Sequence, residues 1–64
     1  MILNGEERRV PAGFSVSALL DSLGLDRRKV AVECNEAIVP RSRYEAVTLC
    51  AQDRLEIVHF IGGG

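Results

Sequence analysis

The pattern of apolar and polar positions changes period several times along the chain, and the first change predicts a hairpin. A short apolar run at residues 1–3 is followed by Asn4-Gly5 and then by a second run that ends at Val10. Asn-Gly readily adopts the positive φ angles that a two-residue hairpin turn needs. Residues 1–10 are therefore predicted to form two antiparallel strands.

The next segment has the period of a helix. Its apolar residues recur three and four positions apart and form one stripe, made of Val16, Leu19, Leu20 and Leu23. Ser15 can accept a hydrogen bond from an early helical N–H, and Gly24 can take the left-handed conformation just after the end. We expect a helix of two to three turns with one buried face, and Leu25 folded back over its last turn.

The second half of the chain returns to the period of strands. Val30, Val32 and Cys34 share one face of a third strand. A short edge strand is predicted around Ile38 and Val39, because Pro40 cannot donate to a central ladder. An irregular segment should follow it.

The last strand, "RLEIVHFI", is apolar on both faces. Leu55 and Ile57 lie in one register, and Val58 and Phe60 lie in the other with Glu56. We expect the first register to face the core, and we expect Val58 and Phe60 to form an exposed apolar patch that docks a partner protein. The predicted core is Leu19, Leu20, Leu23, Val30, Val32, Leu55 and Ile57.

The order of elements is β-β-α-β-β-β, which predicts one α+β domain with a helix lying across a small sheet. A chain of 64 residues buries only about 60% of its unfolded surface, so a deep catalytic cleft is not expected. The composition is that of an ordinary globular domain, and the net charge of −1 offers no general attraction for nucleic acid or for a membrane surface. The start of the chain turns polar too early for a signal peptide or a membrane span, so a cytoplasmic location is expected.

The reactive side chains do not form a recognisable active site or metal site. Cys34 and Cys50 lack the spacing of zinc or redox motifs and are expected to be reduced packing residues. His59 has no catalytic partner at a known spacing. The cationic residues at 27–29, 41 and 43 are expected to be solvated, with docking of an acidic partner as the alternative.

The final glycines, Gly62, Gly63 and Gly64, follow directly after the apolar strand. A tail without side chains can thread a narrow channel in another protein. The carboxylate of Gly64 can there accept AMP from ATP, and the acyl-adenylate can then react with a sulfur or nitrogen nucleophile. The alternative is an inert, frayed end.

The sequence resembles the family of sulfur carriers of thiamin biosynthesis, the ThiS family, over essentially its whole length. The resemblance lies in the "LNG" hairpin, "FSVSALLDSLGL", "DRLEIVHF" and the terminal Gly-Gly. Its most specific part is "NEAIVPRSRY", with Asn35, Ile38, Val39, Pro40, Arg41 and Tyr44 at the family's motif positions. Tyr44 stands where the family more often has Trp, and Gln52 stands where it usually has Gly.

The resemblance implies a β-grasp, ubiquitin-like fold for residues 1–61, with parallel first and last strands at the sheet centre and a flexible tail at residues 62–64. It also implies that a ThiF-type enzyme, using its own ATP and Mg²⁺, adenylates Gly64. Conversion to a thiocarboxylate would follow, with sulfur from a donor such as a cysteine desulfurase system, and then delivery to a ThiG-type thiazole synthase. The protein would then be a carrier without a bound cofactor, and not an enzyme.

Three other functions remain open from the sequence. The small subunit of molybdopterin synthase shares the expected fold and the Gly-Gly end, although its chains tend to be longer. A ubiquitin-like modifier would join Gly64 to protein lysines. A plain β-grasp interaction module would have an inert tail.

Overall fold

The computed structural model describes residues 1–60, so residues 61–64 and the predicted boundary before the tail lie outside it. Five strands, β1 to β5, and one helix, α1, follow the predicted order β-β-α-β-β-β. The bounds are β1 Ile2–Leu3, β2 Glu6–Glu7, α1 Val16–Ser22, β3 Val30–Cys34, β4 Ala37–Val39 and β5 Arg54–His59. Two short 3-10 turns, Arg27–Lys29 and Arg41–Arg43, precede β3 and follow β4.

The five strands form one mixed sheet in the order β2-β1-β5-β3-β4. The first and last strands pair in parallel, with Leu3 opposite Leu55, and the other pairs are antiparallel. β5 is therefore the central strand, and β4 is an edge strand as predicted. A helix across such a sheet is the α+β, β-grasp architecture that the resemblance implied.

The first hairpin turns at the predicted Asn4-Gly5 pair, whose φ angles are 50° and 83°. Both residues lie in the left-handed region that a type I′ turn requires. The strands on either side are only two residues long, so the paired part of the hairpin is shorter than the predicted span of residues 1–10.

Helix α1 has the predicted boundaries because both of its ends are capped. The Ser15 hydroxyl accepts from the backbone N–H of Ala18 at 3.0 Å. At the other end, Gly24 has a φ of 70°, and the N–H groups of Gly24 and Leu25 donate to the carbonyls of Asp21 and Leu20. These two bonds form a Schellman motif, which folds Leu25 back over the last turn.

The core lies between α1 and one face of the sheet. Its fully buried side chains include five of the seven predicted core residues: Leu19, Leu20, Val30, Val32 and Leu55. Leu23 and Ile57 are only half-buried and pack against this cluster instead of belonging to it, which corrects their predicted place among the core residues. Tyr44 is buried with the core, and its hydroxyl approaches the carbonyl of Val30 at 3.5 Å.

Among residues 1–60, no helix combines the length and the apolar character that crossing a membrane requires.

Candidate functional site

The sheet face away from α1 is open, and the strand register defines which side chains it carries. Ala31 on β3 lies opposite Val58 on the central strand, and Glu33 lies opposite Glu56. On the other side of β3, Ile38 of the edge strand pairs with Glu33. Because side chains alternate between the two faces of a strand, these residues all point away from the core.

An apolar patch occupies this open face at the end of β5. Val58 is 58% exposed and Phe60 is 51% exposed, which confirms that they lie outside the core. Ile38 is also large, apolar and 65% exposed. We call Ile38, Val58 and Phe60 the apolar patch; Ile38 lies opposite Glu33 and Val58 lies opposite Ala31, so Ile38 faces Val58 only diagonally across β3.

The sequence pattern alone does not assign Ile38 to this patch. A three-residue edge strand carries too little alternation to tell its two faces apart. The signal appears only once the register is known, since Ile38 pairs with Glu33 while Val39 pairs with the buried Val32.

The same end of β5 leads to the glycines. His59 pairs with Val30, and the N–H of Phe60 donates to the carbonyl of Lys29 at 2.8 Å. The main chain is therefore held by hydrogen bonds up to Phe60. Gly62, Gly63 and Gly64, the predicted tail and modification site, lie outside the described residues.

The two cysteines lie in different environments, away from the end of β5. Cys34 is half-buried and Cys50 is exposed, and both are free thiols. Burial raises the pKa of the Cys34 thiol, and the nearby Asp53 carboxylate raises it further. A raised pKa makes Cys34 a weak nucleophile at neutral pH.

Within residues 1–60, the described side chains offer no group of three or more His, Cys, Asp or Glu residues that could hold a metal ion. His59 is exposed at the end of β5.

An open groove of about 800 Å³ lies at the opposite end of the sheet, lined in part by Met1, Val10, Pro11, Leu49 and Cys50. It lies beside the start of β5, because the N–H of Ile2 donates to the carbonyl of Asp53 there. The groove is thus separated from Phe60 by the length of the central strand. It is not part of the candidate site.

Comparison with known proteins identifies the family. The model of the ThiS family matches residues 1–64. The sulfur carrier protein ThiS of Bacillus subtilis is 46% identical over 50 residues, which are 78% of this chain and 76% of that protein. The crystal structure of the thiamine biosynthesis protein ThiS from Geobacter metallireducens superposes with a TM-score of 0.83 at 30% identity, covering 98% of this chain and 96% of that one.

Longer proteins also contain a similar segment. The thiazole synthase of Paramagnetospirillum magneticum is 56% identical over 64 residues, and that of Magnetococcus marinus is 52% identical over 62 residues. The matches cover 100% and 97% of this chain but only 20% and 19% of those proteins. The chain thus spans about a fifth of the length of these two relatives. With its β-grasp fold and a family match over its full length, the chain belongs to the ThiS family of small sulfur carriers of thiamin biosynthesis.

Proposed function

We propose that this protein carries sulfur as a thiocarboxylate on Gly64 and delivers it to a thiazole synthase. A ThiF-type enzyme adenylates Gly64, a sulfur donor converts the adenylate, and a ThiG-type synthase accepts the sulfur. The observation that carries the proposal is the course of β5. The central strand runs beside the apolar patch and leads, four residues after Phe60, to Gly64.

The proposed chemistry changes one atom of the carrier. A carboxylate oxygen of Gly64 attacks the α-phosphorus of ATP, pyrophosphate leaves, and a mixed anhydride with AMP forms. Sulfur at the oxidation level of sulfide, released from the donor's persulfide by a thiol reductant that becomes a disulfide, then attacks the acyl carbon, and AMP leaves with the bridging oxygen. The product is a thiocarboxylate, and no electrons are gained or lost by the carrier in either step.

The glycines suit a narrow active-site channel for a steric reason. The reacting carboxylate must come within a few ångströms of the bound nucleotide, and small displacements from the reacting geometry cost rate. Side chains on residues 62 and 63 would widen the tail. The folded domain supports this arrangement because Phe60, the last described residue, is anchored to Lys29.

The apolar patch is the proposed docking surface for the adenylating enzyme. Val58 and Phe60 lie on the strand that leads to the tail, so an enzyme that covers them also receives the glycines. Burying two large apolar side chains that are half-exposed in the free protein favours association. Acidic residues Glu33 and Glu56 border the patch and form part of its polar rim.

The two thiazole synthases support the choice of acceptor. Each contains, within one polypeptide, a segment similar to this carrier. Sharing a chain raises the effective concentration of two units that must meet. A partner of the thiazole synthase class is therefore proposed for this chain as well.

Intact-mass analysis tests the central step. The protein is co-expressed with a ThiF-type enzyme and a cysteine desulfurase system, and its mass should rise by the difference between one sulfur and one oxygen atom. The chain lacking Gly64 is the control and should keep its unmodified mass. Absence of the shift in the wild type, or its persistence in the truncated chain, would contradict the proposal. Lysine-linked remnants of the chain in cell extracts would instead favour a protein modifier.

ATP–pyrophosphate exchange tests the role of each glycine. Gly63→Ala should reduce exchange strongly because a methyl group lies next to the reacting residue, and removal of Gly64 should abolish it. Gly62→Ala is the matched control and should be tolerated better, since it is farther from the reaction. Equal exchange by all four proteins would show that the tail does not enter the enzyme.

The docking surface has its own test. Phe60→Ala should weaken binding to the adenylating enzyme and leave the melting temperature almost unchanged. Ile38→Ala tests whether the patch extends to the edge strand. Unfolding of the Phe60 variant with unchanged affinity would place Phe60 in a structural role instead.

A further inference from the structure

We propose that the two 3-10 turns form a basic docking surface that pairs with acidic side chains around the entrance of the adenylating enzyme's tail channel. The surface, called the basic corner, consists of Arg27, Arg28, Lys29, Arg41 and Arg43. The proposal rests on the function proposed above and assigns these residues a second contact area beside the apolar patch.

The two turns are far apart in sequence but adjacent in the structure. Arg41 donates from its guanidinium to the carbonyl of Arg28 at 3.4 Å. The next carbonyl along, that of Lys29, accepts from the N–H of Phe60 at 2.8 Å. Arg41 and Phe60, the last described residue, thus donate to two consecutive backbone carbonyls of the first turn.

The corner concentrates positive charge in a chain that has little overall. It holds five of the eight cationic residues, whereas the net charge of the chain is −1. The carboxylates that contact it are those of Asp26, paired with Arg28, and Glu45, paired with Arg27. These five cations and two carboxylates leave three net positive charges.

Three of the cations have no carboxylate partner within residues 1–60. They are Lys29, Arg41 and Arg43, and all three are exposed. Since these three side chains make no ion pair among the described residues, their charge is available to an acidic surface of a partner protein.

Charge of the opposite sign lies at the other end of the open face. Glu33, Glu36 and Glu56 surround Arg54 beside the start of β5. The charge clusters therefore differ in sign along the central strand, with the basic corner beside Phe60 and the three glutamates near the start of β5. Such a distribution orients an approaching partner as well as attracting it.

The length of the tail places the basic corner near the channel entrance. The four residues after Phe60 span at most about 14 Å when fully extended. With Gly64 at the bound nucleotide, Lys29 and its neighbours must lie against the surface of the enzyme within that distance. Acidic side chains there would pair with the corner, speed association and set the orientation in which the tail enters.

Charge reversal with a matched control tests the proposal. The double variant Lys29→Glu/Arg43→Glu changes two side chains that make no hydrogen bond among the described residues. The control Arg8→Glu/Arg9→Glu makes the same change in net charge next to β2, at the end of the sheet where Arg8 bonds to Met1. Association with a ThiF-type enzyme is measured by stopped-flow at several salt concentrations.

We expect the corner variant to associate at least about tenfold more slowly at low salt, with the difference shrinking as salt rises. The control should stay within about twofold of the wild type. The variant Lys29→Gln/Arg43→Gln only removes charge, so its association rate should lie between those of the wild type and the Glu variant. It serves as a second test in case the Glu variant misfolds. Equal effects of the corner and control variants, or no effect of either, would overturn the proposal. If the wild type itself neither binds nor is adenylated, the proposed function fails instead.

Discussion

The side-chain amide of Asn4 pairs with both backbone groups of Ile57, 53 positions later in the chain. Its oxygen accepts from the N–H of Ile57 at 2.8 Å, and its nitrogen donates to the carbonyl of the same residue at 3.3 Å. The backbone N–H of Asn4 meanwhile donates to Leu55. The amide thus acts as an additional peptide unit and extends the parallel ladder between β1 and β5 beyond the point where the main chain turns.

Two substitutions separate the two roles of Asn4. Asn4→Gly keeps a residue suited to a φ of 50° but loses the amide, and should cost about 1 kcal/mol of unfolding free energy. Asn4→Ala loses the amide too and, unlike Gly, keeps a Cβ in the left-handed region without the short polar side chain that lets Asn tolerate it, which adds about 1 kcal/mol. Urea unfolding gives both values, and hydrogen exchange at the Ile57 amide should accelerate in both variants. Protection of that amide equal to wild type would show that the pairing contributes nothing.

Leu20 anchors α1 to the sheet. It is 1% exposed, so Leu20→Ala should lower the unfolding free energy by about 2–5 kcal/mol, as other large-to-small core changes do. Ile38→Ala is the control on the open face and should change it by less than about 0.5 kcal/mol. Thermal melts of the two variants with similar midpoints would remove Leu20 from the core.

The turn between β3 and β4 contains two residues with positive φ that should respond in opposite ways. Glu36 has a φ of 71° and its side chain makes no described hydrogen bond, so Glu36→Gly should stabilise the protein by about 1 kcal/mol. Asn35, at a φ of 53°, accepts from the N–H of Arg54 and donates to Asp53, both at 3.0 Å. Asn35→Gly should therefore destabilise by about 1–2 kcal/mol. Equilibrium unfolding in urea measures the free energy of unfolding of both variants. A change of the same sign in the two variants would contradict the predicted roles of Asn35 and Glu36.

The reactivity of Cys34 should depend on pH in a predictable direction. Because burial raises its pKa, its neutral thiol is favoured by folding. The contribution of this preference to the free energy of unfolding is present at pH values below the pKa of the unfolded chain, about 8.5. It is lost as pH rises through the higher pKa of the folded protein. Alkylation with iodoacetamide, followed by peptide mapping, should modify exposed Cys50 first and reach Cys34 only at higher pH or in urea. Faster modification of Cys34 at neutral pH would contradict the burial argument.

Local signals in the sequence predicted much of the fold. Asn4-Gly5 specifies its turn and Gly24 ends the helix because each conformation depends on residues nearby. The two faces of the last strand followed from simple alternation, which gave Leu55 to the core and exposed Val58 and Phe60. Pro40 correctly marked the end of an edge strand.

Other features depend on pairings that one sequence does not specify. The bonds from Asn4 to Ile57 and from Asn35 to Arg54 require the register between distant strands. Ile38 joined the apolar patch, and Arg41 met Arg28, only when β3 and β4 were paired. The half-burial of Leu23 and Ile57 was not predicted, because the helical stripe and the strand pattern indicate which face is apolar but not how much of that face α1 covers.

The central position of β5 has a mechanical consequence. A partner that draws the glycines into its active site pulls the domain along the axis of this strand. Neighbours on both sides, β1 and β3, hold it by hydrogen bonds that run across the direction of the pull. The load is therefore borne in shear by many bonds at once, whereas an edge strand such as β4 would peel away one bond at a time. The domain can therefore stay folded while a partner pulls on the tail.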